Sequence, residues 1–276
     1  MSDVAGILGC GTIGREVIFA IDNDQVPGVS IGGIHSRDSA DAASVLSKTS
    51  ITDESIIVSD PLELTETCDV VIECASHEAV EAYAVPILER GTDFYALSVG
   101  ALADEKLHET IIESAASNDA VFEVPSGALA GVDAIRASTM QGQLEEVLFI
   151  TTKPPAGLSG APHIEKSDID ISSIETKTKV FQGSAREAAP AFPANINVSI
   201  ALSLAGLGAD ETVVEIWADP AEENNIHEIK ATGGMGTLDI SFSTAPHPEN
   251  PKTSYIAVLS ALASLKRRTA SFVIGT

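Results

Sequence analysis

Apolar residues in the first part of the chain come in short runs, each set off by glycines or polar residues. Val4-Ala5-Gly6-Ile7-Leu8 is the first run; Gly9-Cys10-Gly11-Thr12-Ile13-Gly14 follows directly, and residues 15–21 continue at helical spacing. This pattern predicts a strand, a glycine turn and a helix. Further strands are expected at 29–34, 56–58, 69–74, 93–99 and 120–124. Helices are expected at 104–117 and at 77–90, where Ala79, Val80, Tyr83, Ala84, Ile87 and Leu88 share one face. Gly91 stands where a left-handed residue closes a helix. Strands alternating with helices imply an α/β, Rossmann-type doubly wound parallel sheet, with ligands at the carboxyl ends of its strands. Those ends carry Ala75-Ser76, Gly100-Ala101 and Pro125-Ser126-Gly127-Ala128.

The pattern changes after Pro125. Strand-like runs dominate at 147–152, 174–181, 213–218, 225–232 and 237–243, with helices at 184–190 and 197–207. That order fits an α+β domain for substrate binding and oligomerisation, built on a mostly antiparallel sheet with helices on one face. Residues 254–267 return to a helical pattern through Ile256, Leu259, Ala263 and Leu265. The expected organisation is a dinucleotide-binding domain over 1–124, a catalytic domain over 125–252, and a tail over 253–276 that packs back on the first.

At 276 residues and 44% hydrophobic composition, two domains with real cores are affordable. The apolar start lacks a basic leader region, and no run of 18 apolar residues occurs, so a cytoplasmic protein without a membrane partner is expected. Forty acidic against 16 basic residues give a net charge of −24, which argues against a nucleic-acid partner because phosphate binding needs a basic surface. Such self-repulsion is relieved by salt, with a Debye length of about 10 Å at 0.1 M. Adaptation to a saline, halophilic cytoplasm is therefore expected. Cys10, Cys68 and Cys74 are odd in number and form no paired CxxC, so no metal site is expected.

Candidate chemistry starts at the glycine turn. In a strand–GxGxxG–helix unit Gly9 permits the tight turn, Gly11 clears the approach of a pyrophosphate and Gly14 lets helix pack on strand, with Thr12 and Ile13 opening the helix. An acid past the second strand would take the ribose of NAD. Here the segment reads His35-Ser36-Arg37-Asp38, so Ser36 and Arg37 at a 2′-phosphate would mean NADP and Asp38 at the ribose would mean NAD. Both cofactors stay open. A second constellation runs from Ala218-Asp219-Pro220 to Asn224-Asn225-Ile226-His227, where amides and an acid surround a histidine able to exchange protons near neutral pH.

Beyond these features the chain resembles the L-aspartate dehydrogenases. The resemblance is carried by Ser98-Val99-Gly100-Ala101-Leu102, Pro125-Ser126-Gly127-Ala128, Thr152-Lys153-Pro154-Pro155 and Phe192-Pro193-Ala194-Asn195-Ile196-Asn197-Val198. Ala218-Asp219-Pro220 with Asn225-Ile226-His227, and Asn250-Pro251-Lys252-Thr253-Ser254, complete it, all in the family's order. It implies NAD(P)-dependent oxidation of L-aspartate to iminoaspartate, then oxaloacetate and ammonia or a feed into NAD biosynthesis, in a homodimer or larger. It places the catalytic histidine at His227 and cofactor contacts at Ala128 and at Asn195 or Asn197. Ala75 and Ser76 join the cofactor set from their strand end. Two substrate carboxylates need cations, for which Lys252 and Lys153 are the candidates, with Arg136 behind them. Asp219 and Asn225 are expected to orient His227. The same architecture serves dihydrodipicolinate reductases and homoserine dehydrogenases, or a dinucleotide sensor without catalysis.

Overall fold

β1 (Asp3–Leu8), β2 (Val29–His35), β3 (Val70–Glu73), β4 (Asp93–Ala96) and β5 (Phe122–Glu123) form one sheet in the order β2-β1-β3-β4-β5, every pair parallel. The computed structural model of the chain describes residues 2–193 and 196–275, without the side chains of Pro251 and Lys252. The crossovers are α1 (Thr12–Asp22), α2 (Ser39–Leu46), α3 (His77–Leu88) and α4 (Glu105–Ser117). β3 is buried along its whole length, as a central parallel strand covered on both faces must be. Ile7, Val17, Ile18, Ile34, Val70 and Ile72 lie in one core cluster.

The strand expected at 56–58 is not part of this sheet. Asp53 accepts the amide of Ser55 at 2.9 Å and turns Glu54–Ile56 into a 3₁₀ helix, and a capping box on Asp60 starts another at Pro61. Only the bridge of Ile57 to Ile34 is left between them. Local side-chain caps outcompeted the apolar triplet for the backbone. The strand expected over 93–99 is likewise shorter, giving way to a 3₁₀ helix at Val99–Ala103.

The chain divides into two compact units, one of residues 1–125 with 258–274, the other of 126–257 with 275–276. In the first, α9 (Tyr255–Thr269) contributes Ala261 and Leu265 to the core. Its Arg268 pairs with Asp3 at the start of β1 and with Asp93 at the start of β4, the latter at 2.6 Å, and lies over the Tyr95 ring. Burial pushes the Tyr95 hydroxyl up to about 12.

The second unit is built on β6 (Leu144–Lys153), β7 (Thr178–Ser184), β8 (Val213–Ala218), β9 (Asn225–Gly233) and β10 (Gly236–Thr244), ordered β10-β9-β6-β8-β7. β6 and β8 run parallel and the other pairs antiparallel, so the sheet is mixed. α8 (Asn197–Ala205) packs against both α5 (Val132–Met140) and α7 (Ala185–Ala191), and these lie on the sheet, α5 on β6 and α7 on β7 and β8. β7 begins four residues later than the apolar pattern at 174–181 suggested, because Asp170 caps a 3₁₀ helix at Ile171–Ser173. α6 (Pro162–Lys166) and a short ribbon of β11 (Pro246–His247) with β12 (Asn250–Ser254) complete the unit.

Candidate functional site

In the first unit the glycine loop closes the carboxyl end of β1. Gly9 has φ +106°, and a Cβ there would lie 2.8 Å from the Ala75 Cβ; a Cβ on Gly14 would lie 1.9 Å from the Gly9 carbonyl oxygen. Both glycines are thus required by the protein's own packing. Gly11 is different: its φ is −69°, and the nearest atom to a Cβ there would be the Cys74 oxygen at 3.9 Å. Bare backbone in open space at a helix start is what a closely approaching phosphate needs. Gly11 is the N-cap of α1 and gives no side-chain cap, and Thr12, Ile13 and Gly14 form the first turn of the helix. The loop therefore fits a dinucleotide.

The neighbouring strand ends meet this loop. The Gly9 amide donates to the His35 carbonyl at 2.8 Å, which ties the end of β2 to the glycines. Ser36 hydrogen-bonds the Cys10 thiol, which burial pushes up to about 11, and Arg37 is exposed beyond it. Ala75 lies against Gly9, and Ser76 caps α3 through Ala79.

Glu73, at the end of β3, is a residue that sequence reasoning passed over. It is fully buried, and its carboxylate accepts from Ala75 N (2.7 Å), Leu97 N (3.2 Å), Ser98 N (2.8 Å) and Ser98 Oγ (2.8 Å). Burial still raises its pKa against those donors. It holds the loops after β3 and β4 in place. An acid ending an otherwise apolar strand was the available signal.

In the second unit His227 lies on β9 directly opposite Thr151 of β6, with only 5% of its surface exposed. Directly paired residues share a sheet face, as do residues two apart, so Phe149, Thr151, Lys153 and His227 line one face. The Phe149 and His227 rings stack with centroids 5.5 Å apart. His227 Nδ1 and Thr151 Oγ1 are buried with no hydrogen-bond partner among the described residues, an arrangement that calls for an explanation in a native protein. Burial, then the charge of Lys153, pushes the His227 pKa down to about 3. Burial alone pushes Lys153 down to about 8.

The expected orienting groups are placed otherwise. Asp219 accepts the Ala221 amide at 2.9 Å and its own amide donates to the Lys153 carbonyl at 2.9 Å; the Asn225 carbonyl accepts from Thr244 at 3.1 Å. They shape the strand ends, and Phe149 holds the imidazole plane. Arg136 is exposed on α5, away from a buried cation's role. Ala128 is buried in the turn after Pro125, whose Gly127 has φ +60°. Asn197 opens α8; Asn195 lies outside the described residues. Lys252 is on β12, and its side chain lies outside them too. His227, Lys153 and Thr151 are thus brought together, as are Gly9 to Gly14, Ser36, Arg37, Ala75 and Ser76.

Comparison with known proteins agrees with both units. Residues 133–268 match the family model "Aspartate dehydrogenase, C-terminal", and residues 9–125 match "Homoserine dehydrogenase, NAD binding domain". The L-aspartate dehydrogenase of Methanosarcina barkeri is 41% identical over 98% of both chains, and that of Methanocella arvoryzae is 40% identical over the same share. The crystal structure of aspartate dehydrogenase from Thermotoga maritima is similar over 100% of both chains, with a TM-score of 0.74 and 25% identity. An NAD(P)-dependent oxidoreductase with a Rossmann-type domain is what these relatives and the glycine loop share. By sequence over its whole length and by fold, the chain belongs to the L-aspartate dehydrogenase family.

Proposed function

We propose that this protein oxidises L-aspartate with NAD or NADP to iminoaspartate, which water converts to oxaloacetate and ammonia. The observation that carries this reading is the face shared by Thr151, Lys153 and His227, a buried neutral imidazole beside a half-buried amine. The aspartate dehydrogenase match covers that face, which favours aspartate over the dihydrodipicolinate and homoserine alternatives and over a sensor without chemistry. When bound, the nicotinamide supplies the acceptor for a hydride, two electrons with one proton.

The chain's residues have three tasks. Lys153, charged below about pH 8, binds a substrate carboxylate inside a protein whose net charge of −24 repels the substrate elsewhere. Lys252 is the second candidate for that task. His227 takes the proton that the substrate ammonium must lose before its carbon can be oxidised, or later activates the water that attacks the imine. A neutral imidazole with a pKa of about 3 is a weak base, but the two carboxylates of a bound substrate beside it favour the charged form and raise its proton affinity. Gly9, Gly11, Thr12, Ile13, Gly14, Ala75 and Ser76, with Ala128 and Asn195 or Asn197, hold the cofactor. Formation of NAD(P)H with L-aspartate at molar KCl tests the reading, and no turnover with either dinucleotide defeats it.

A pH profile separates the roles. The KM for aspartate should rise as pH increases through about 8, where Lys153 loses its charge before substrate binds. Lys153→Arg keeps its charge and should carry that rise beyond about pH 10. A KM flat from about pH 7 to about pH 10 in the natural protein would make Lys153 structural.

The wider setting belongs to the same proposal: a cytoplasmic homodimer or larger assembly in a saline cell, feeding NAD biosynthesis. The excess of 40 acidic over 16 basic residues supports the saline part. The Tm should rise between low-salt buffer and molar KCl as self-repulsion is screened; a flat or falling Tm removes the idea. Light scattering of the purified chain tests the assembly.

A further inference from the structure

We infer that Arg37 makes this enzyme select NADP over NAD, by taking the 2′-phosphate at a strand end whose own carboxylate is already committed. The inference rests on the dinucleotide reading of the first unit. Selection of NAD needs a free carboxylate just past the second strand to accept from the ribose hydroxyls. β2 ends at His35, and the residues that follow are Ser36, Arg37 and Asp38. Asp38 is the N-cap of α2: with extended backbone at φ −105° and ψ 113°, its Oδ1 accepts the Ala40 amide at 2.9 Å. Drawing that carboxylate toward a ribose would uncap the helix.

Ser36 leaves the position nearest the strand uncharged, with its hydroxyl on the Cys10 thiol. His35 Nδ1 faces the Val58 carbonyl at 3.2 Å, and the His35 carbonyl is held by Gly9. Arg37 is the cation of this segment, exposed and planar, and suited to a bidentate grip on a phosphate. Two further acids bear on the region. Glu78, in the first turn of α3, is held by Ser76 and by its own amide, and feels the charge of Arg37. Asp41, in the first turn of α2, acts on Cys10. Neither directly follows β2, and both make an arginine necessary if an extra phosphate is to be held there.

Equilibrium binding to the full chain tests this without turnover. Isothermal titration with NADP, NAD, 2′,5′-ADP and 5′-AMP should show each 2′-phosphorylated ligand binding at least about tenfold tighter than its partner. Arg37→Ala should abolish that difference by weakening NADP and 2′,5′-ADP while leaving NAD unchanged. Asp38→Asn preserves the cap, since asparagine caps as well as aspartate, and should leave NAD binding as it was. NAD binding as tightly as NADP to the natural chain, or a selective loss of NAD in Asp38→Asn, overturns the inference. Absence of binding by all four ligands would instead defeat the dinucleotide reading beneath it.

Discussion

His227→Ala is expected to lower kcat with L-aspartate at least about 100-fold, the lower end of what a positioned acid–base group contributes. The Kd for NAD(P) should stay close to that of the natural chain, because the glycine loop lies in the other compact unit. The imidazole is 5% exposed, is stacked on Phe149 and has an Nδ1 with no partner among the described residues. A purely structural histidine would be expected to satisfy that buried atom, which costs about 1–3 kcal/mol when left bare. Its removal also leaves a cavity beside Phe149, so His227→Gln, which keeps more of the bulk, is the companion variant. A folded Gln variant with near-natural turnover would move proton transfer to Lys153. A fall in kcat at an unchanged melting temperature assigns it to His227.

The second large effect separates two glycines three positions apart. Gly14→Ala puts a Cβ 1.9 Å from the Gly9 carbonyl oxygen, a backbone collision that no rotamer relieves. The variant should melt well below the natural protein and lose dinucleotide affinity together with its loop. In Gly11→Ala the nearest atom of the described residues to the new methyl is the Cys74 oxygen at 3.9 Å, and at φ −69° alanine is unstrained. Its melting temperature should therefore hold while NAD(P) affinity falls at least about tenfold, because the space is needed by phosphate. Calorimetry beside a binding titration reads both. Unchanged affinity in Gly11→Ala would place the pyrophosphate elsewhere, whatever happens in Gly14→Ala.

Much of the architecture was legible because it is written in local periodicity. The runs at 4–8, 213–218 and 225–232 became β1, β8 and β9, with bounds equal or within a residue. Where legibility failed, side-chain capping competed with apolar character: Asp53 and Asp60 turned residues 56–58 out of the sheet, and Asp170 delayed β7. The same competition decided Asp38, whose carboxylate reads equally well as a ribose ligand or a helix cap until the backbone around α2 is seen. The amides and the acid around His227 misled for a related reason. Closeness in sequence suggested that Asp219 and Asn225 orient the ring, whereas its neighbours across the ladder are Thr151 of β6 and Phe242 of β10, with Phe149 of β6 stacked on it.

From the sequence alone came the two-part α/β and α+β order, the glycine turn with its need for a dinucleotide, the excess of negative charge, and the segments shared with L-aspartate dehydrogenases. These depend on composition, on spacing along one chain and on residue identity. Tertiary structure alone decided that Gly11 faces open space while Gly9 and Gly14 are packed, and that Glu73 is a buried clasp for two loops. It also decided that Lys153 and His227 share one face of the sheet, where desolvation makes both reluctant to carry a proton and the charge of Lys153 adds to that at His227. Strand pairing sets which distant side chains meet, and burial sets the charge they carry once they have met.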